Sequence, residues 1–190
     1  MTDFVKRLVK ILNDEWDRFG RQTYSVSGAL TKKGRQEWED GFWQDVEVYW
    51  KSCDLPYTGK DRHKPWSAVL ISHGFINAGS GLIKTASHYE YLQYAASDNP
   101  YFKVHRVGEY KPKVGDIIVY ARQEGVDFDN FKDLGWFMSH GEVFVSVTKN
   151  RASTISGNVG HSVAKQSTRL KDGFVYQPPR PYFVIIENLL

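Results

Sequence analysis

A chain of 190 residues with 25 Lys+Arg against 22 Asp+Glu has a formal charge of +3, and its size fits one domain, or one domain with a short appendage. Hydrophobic residues at 41% and aromatics at 15% supply enough apolar surface for a sizeable core, which excludes disorder of the whole chain. The longest apolar runs, Ala68 to Ile71 and Phe183 to Ile186, fall far short of the ~20 residues that a membrane-spanning helix needs, so membrane insertion is not expected.

The lone Cys53 excludes an internal disulfide framework and any multi-cysteine metal site. Lys and Arg do not cluster beyond pairs, so the chain lacks the basic stripe of a nucleic-acid binder. The first segment interrupts its apolar residues with charges and so lacks the continuous apolar region of a secretory signal. Synthesis in the cytoplasm without classical export is the expectation.

Phe4, Leu8, Ile11, Leu12, Trp16 and Phe19 recur at three- and four-residue intervals, which predicts an amphipathic helix closed by Gly20. A second helix is expected over residues 33–50, where Trp38, Phe42, Val46 and Tyr49 recur in the same way. A polar loop follows. Pro65 then suits a helical first turn and Gly79 an end, which puts Ser67 in the opening turn of a largely apolar helix. A further helix is expected over 85–96. Beyond Pro100 the texture changes to short β-type runs at 116–122, 142–147, 151–156, 173–176 and 182–186. Helices first and strands after argue for an α+β domain, residues 1–190, with N-terminal helices packed on an antiparallel β-sheet. A helical N-terminal part (1–51) precedes a core of helix and sheet (64–190).

The chain contains no phosphate-binding glycine loop, no dinucleotide fingerprint, no HExxH and no GxSxG. Its six histidines are scattered, and neither a metal nor a cofactor is implied. What remains is a polar series in chain order: Ser67 at a helix N-terminus, His140 preceding a strand and Asn158 ending the next. A hydroxyl at a helix N-terminus meets the positive end of the macrodipole, a histidine on a facing strand can take its proton, and a third polar group can fix the imidazole tautomer. Unpaired N–H groups of the first turn can serve a developing oxyanion. Each member also has a plain structural reading: Ser67 as a residue favoured at helix starts, His140 as a satisfied histidine, Asn158 with Gly157 as a turn pair. Arg122 and Tyr110 could hold a substrate carboxylate or pair on the surface.

Five short motifs in order, Pro65-Trp66-Ser67-Ala68-Val69-Leu70-Ile71-Ser72, Ser87-His88-Tyr89, Lys113-Val114-Gly115-Asp116-Ile117-Ile118, Ser139-His140-Gly141-Glu142-Val143 and Ser156-Gly157-Asn158-Val159, resemble the domain-of-unknown-function family 2272. That family looks like a branch of the papain-like NlpC and CHAP cell-wall amidases and peptidases. The resemblance implies a papain-like fold and a peptidoglycan hydrolase, either amidase or endopeptidase, with catalytic Ser67, His140 and Asn158 working through an acyl-enzyme. It implies a substrate-contacting group of Trp66, His88, Tyr89, Tyr110, Arg122 and Ser156. Ser67 stands where relatives carry the cysteine nucleophile, and Ser156 where some carry a glutamate.

A serine cannot be drawn to its anion as a thiol can, so it needs a true general base at the moment of attack. With the resemblance, the chain is read as a hydrolase of peptidoglycan or peptide; the missing signal then implies delivery by a phage or type VI secretion route, and as an antibacterial toxin the protein would have an immunity protein as partner. The second reading is a non-catalytic peptidoglycan- or peptide-binding module that has lost the cysteine. A third is an acyltransferase- or thioesterase-like enzyme on another substrate.

Overall fold

A computed structural model describes residues 1–190, with four helices and one nine-stranded sheet. Helix α1 (Asp3–Arg18) starts where the Thr2 side chain accepts a hydrogen bond from the Val5 N–H at 3.2 Å. It buries Val5, Leu8 and Leu12 on one face and stops before Gly20, whose φ of +78° only glycine adopts freely. No helix is long and apolar enough to cross a membrane.

The helix expected over 33–50 is shorter, α2 (Phe42–Ser52). Residues 33–41 form a loop instead, because Gly34 lies against the Phe19 carbonyl, the Glu37 N–H donates to the His161 carbonyl at 2.8 Å, and Gly41 takes a φ of +88°. Helix α3 (Ser67–Ala78) has ten buried residues and ends at Gly79 with φ +105°. Helix α4 (His88–Ala96) is capped by the Ser87 side chain, which accepts from Glu90 N.

The strands are β1 (Gln22–Tyr24), β2 (Leu30–Lys32), β3 (Phe102–Arg106), β4 (Ile117–Ala121), β5 (Ser139–Val147), β6 (Arg151–Val159), β7 (Ser162–Lys171), β8 (Phe174–Val175) and β9 (Tyr182–Asn188), in the order β2-β1-β7-β6-β5-β4-β9-β3 with β8 beside β7. The fold is α+β. The expected antiparallel sheet is corrected to a mixed one, since β1 pairs with β7 in parallel. The Gln22 side chain fixes that edge strand by donating to the Val159 carbonyl at 2.5 Å and accepting from Gly34 N at 3.1 Å. The strands β1, β2, β3 and β7 had no clear sequence signal.

Side chains alternate across the sheet. Ile117, Val119, Val143 and Ile155 face the helices and join the larger core with Leu70, Ile71 and Phe75 of α3. Ile118, Tyr120, Phe144, Tyr182 and Ile185 form a second core on the other face, together with Leu170 and Val175. Gly115 (φ +96°) precedes the buried Asp116, whose carboxylate accepts from Lys113 N at 2.7 Å and Asn188 N at 3.0 Å and so ties the start of β4 to β9.

Candidate functional site

Helix α3 begins without a side-chain cap, because its first flanking residue is Trp66. The first-turn N–H groups therefore have no protein acceptor of the capping kind and stay available to an anion. Ser67 opens this helix at 5% exposure, and its Oγ lies 2.6 Å from His88 Nε2. His88 Nδ1 lies 2.7 Å from the Tyr91 hydroxyl. His88 and Tyr91, three residues apart on α4, are neighbours on one helix face. Ser67, His88 and Tyr91 thus form a continuous buried chain where α3 and α4 meet the sheet.

A cleft of about 300 Å³ opens over this chain. Pro65, Ser87, Tyr89, Arg122, Phe137 and Ser139 contribute to its walls, and at its rim Trp136 and Met138 stand 69% and 48% exposed. The Arg122 N–H donates to the Met138 carbonyl at 2.8 Å, which holds the guanidinium-bearing residue beside that rim. Tyr89 packs edge-on against Phe137 and its hydroxyl donates to the Leu134 carbonyl at 3.4 Å.

The middle of the expected Ser67–His140–Asn158 series is corrected: the imidazole bonded to Ser67 is that of His88. The reason is strand parity. Gly141 faces α4 so closely that an added Cβ would stand 1.8 Å from the Tyr91 hydroxyl and 3.1 Å from His88 Nδ1. His140, one residue earlier and paired with Tyr120, belongs to the other face. Its ring lies 5.3 Å from that of Tyr120 and, near the strand end, 5.0 Å from that of His88. His140 Nε2 is buried without a hydrogen-bond partner. Asn158, at φ +55°, does not hydrogen-bond His140 but lines the same recess.

Three expected substrate contacts lie elsewhere. Trp66 is 1% exposed, packed between Phe19 and Tyr49 with its indole N–H donating to Glu37 Oε2, so it anchors the helix instead of a ligand. Ser156 is fully buried and cannot reach one. Tyr110 stacks on His105 at 4.1 Å, away from the cleft residues. Arg122, His88 and Tyr89 do line the cleft. Cys53 donates to the Thr85 carbonyl at 3.7 Å, and burial pushes its thiol up, against thiolate chemistry.

Burial holds the His88 imidazole down at about 3, with Arg122 adding repulsion. Burial also pushes His140 well below its ordinary value, with His88, Arg180 and Arg122 acting in the same direction. Both rings are therefore neutral at pH 7. Behind His140 the fully buried Glu142 accepts from Thr154 at 2.5 Å, Gln166 at 2.5 Å and the Tyr182 hydroxyl at 2.9 Å, and pairs with Arg180 at 3.8 Å. Burial raises the Glu142 carboxyl, and these partners oppose the rise. No group of three His, Cys, Asp or Glu side chains is arranged to hold a metal ion.

Sequence reasoning missed Tyr91, whose signal was its three-residue spacing from His88, and Arg180, which sits in a proline-rich turn with no pattern to mark it. No curated protein and no solved structure matches the chain. The family model for an uncharacterised protein conserved in bacteria, DUF2272, matches residues 51–186 and with them Ser67, His88, Arg122 and His140. On that match over more than half its length, the chain belongs to the DUF2272 family.

Proposed function

We propose that the protein is a serine hydrolase of peptide or amide bonds, with peptidoglycan as its substrate class and a fold related to the papain-like wall hydrolases. The observation that carries the chemistry is the 2.6 Å contact between Ser67 Oγ, at an uncapped helix N-terminus, and His88 Nε2. The wall substrate comes from the motif resemblance alone. In the acylation step Ser67 Oγ bonds to the carbonyl carbon while its proton passes to His88 Nε2. The α3 N–H groups receive the oxyanion, and the C–N bond then breaks as His88 returns the proton to the leaving amine. Water reverses the sequence on the acyl-enzyme. Trp136, Phe137 and Tyr89 give the cleft an apolar wall for the substrate, and Arg122 gives it a cation. Wall chemistry places the site of action beyond the cytoplasmic membrane, consistent with a phage or secretion-machine effector that has an immunity partner.

A specific observation favours a second reading. The His88 ring is the hydrogen-bond partner of the buried Tyr91 hydroxyl, and if that O–H donates to Nδ1 then Nε2 carries the proton and donates to Ser67. In that tautomer His88 is no base, and no carboxylate hydrogen-bonds the ring to favour an imidazolium. The site would then bind peptide without cleaving it.

Digestion of purified sacculi with wild type, Ser67→Ala, His88→Gln and Ser67→Cys, read by mass spectrometry of released fragments, separates the two. Release by wild type that is lost in Ser67→Ala and His88→Gln supports the hydrolase, and the fragment masses name the bond. Inert wild type that still sediments with sacculi supports the binding module.

A further inference from the structure

At the ends of β4, β5 and β6, beyond the Ser67 cleft, Tyr24, Tyr120, Arg122, His140, Asn158 and Arg180 enclose a polar recess of about 220 Å³. Arg122 lines both this recess and the Ser67 cleft. We propose that the recess binds a carboxylate of the substrate whose reacting bond lies over Ser67. The inference rests on the reading of that cleft as a peptide site and names what the peptide must carry.

The charge balance selects the ligand. Two guanidinium groups border the recess, and Glu142 lies behind one of them, 3.8 Å from Arg180 Nε. Arg180 is further held by Gln166 Oε1 at 3.1 and 3.0 Å and by the Tyr120 hydroxyl at 3.1 Å, so its fork is fixed before any ligand arrives. Arg122 has no carboxylate partner of its own and borders the recess together with Arg180. One net positive charge remains for one negative charge, and a planar guanidinium matches a planar carboxylate.

A second observation points the same way. His140 is 3% exposed, lines the recess and has a ring nitrogen without any partner in the protein. A buried polar group left unpaired costs about 1–3 kcal/mol, which a ligand in the recess can offset. Asn158 is held in the left-handed region at φ +55°, and its amide borders the same space. The remaining walls are the phenols of Tyr24 and Tyr120 with Val159 and Gly160, so no acid lines the recess and the nearest, Glu142, is already paired with Arg180.

The test uses the full chain and calorimetric titration with acetyl-D-alanyl-D-alanine, with its C-terminal amide and with inorganic phosphate, on wild type and on Ser67→Ala. The free acid is expected to bind at least tenfold more tightly than the amide in both proteins. Arg122→Gln should abolish that difference and Arg122→Lys should keep only part of it. Arg180→Lys, which preserves the charge facing Glu142, should weaken the acid at least threefold if it folds; Arg122 is exposed and makes no ion pair, so its variants test the site in any case. Equal binding of acid and amide, or unchanged binding in Arg122→Gln, overturns the proposal. Phosphate that competes as strongly as the acid overturns the carboxylate assignment in favour of a general oxyanion recess. A wild type that discriminates acid from amide but cleaves nothing leaves the recess standing and removes the hydrolase.

Discussion

Replacing Gly141 by alanine tests whether β5 and α4 meet through the His88–Tyr91 pair. The new Cβ would stand 1.8 Å from the Tyr91 oxygen, 3.1 Å from His88 Nδ1 and 3.2 Å from Tyr91 Cζ. Tyr91 is 2% exposed and its ring belongs to the main core, so it cannot swing into solvent. Overpacking of this kind costs roughly 1–3 kcal/mol. Displacing the hydroxyl from Nδ1 leaves a buried nitrogen unpaired, for about another 1–3 kcal/mol. Alanine recovers roughly 0.5–1 kcal/mol over glycine in a strand through lower chain entropy. The expected net destabilisation is about 2–4 kcal/mol, read as the shift in urea midpoint at constant slope. Tyr91→Phe removes the oxygen that the Cβ meets, so the double variant should be at least ~1 kcal/mol more stable than the sum of the two single changes predicts. Gly135→Ala, where the Cβ meets nothing within 4 Å, is the control and should be near neutral. Additive effects, or a Gly141→Ala protein as stable as wild type, would refute the proposed packing.

Stability should fall with pH from neutrality toward pH 5. Burial holds the His88 and His73 imidazoles at about 3 and about 4, below their ordinary 6.5, so the unfolded chain takes up protons first and each ring costs about 2 kcal/mol at pH 5. Asp116, pushed up to about 6 by burial, acts in the opposite sense by about 1 kcal/mol, as do the raised Glu15 and Glu142, while the depressed His140 adds to the loss, and the three histidines together leave a net loss; urea midpoints at the two pH values check it, and an equal or greater midpoint at pH 5 contradicts it. Glu142→Ala should cost about 3–5 kcal/mol in thermal or urea unfolding, because Arg180, Thr154, Gln166 and Tyr182 all lose their shared acceptor. Its replacement by Gln should cost markedly less. In steady-state kinetics on a peptide substrate, His88→Gln should lower kcat about 10²- to 10⁴-fold, whereas His140→Gln should mainly raise KM. A larger kcat loss in His140→Gln would return the base to the strand.

The helices were legible in the sequence because their apolar spacing and end signals agree. Ser67 could be placed at a helix start from Pro65 and Gly79 alone, and α3 confirms that position. The partner of Ser67 was not legible from the strand. Val143, Phe144 and Val145 are all buried, since β5 has a core on each face. A run buried on both faces has no period of two, so nothing in it states which way His140 points. Motif order brings His140 to the right end of the sheet and leaves its face undetermined. The clue lay in Gly141, whose missing side chain makes room for His88 and Tyr91. The helix misread over 33–50 has a similar origin: Trp38 kept the helical interval, but Gly34 and Gly41 govern the local backbone.

The residues before 51 lie outside the family match, yet they hold the helix that carries Ser67 in place. Trp66, immediately before Ser67, packs on Phe19 and Tyr49 and donates to Glu37, whose other oxygen lies 3.1 Å from His161 Nδ1. Tyr49 in turn donates to the buried Glu15 at 2.5 Å. Gly157 of β6 lets the Trp66 ring approach, since a Cβ there would stand 2.6 Å from it. The start of α3 is therefore fixed from two sides: by β6 within the family region and by α1, α2 and the 33–41 loop outside it. Tyr24, also outside the match, closes the recess that Arg122 shares with the cleft. A cleft whose serine comes from the matched region, and whose alignment and far wall come from the preceding fifty residues, is complete only when both parts fold together.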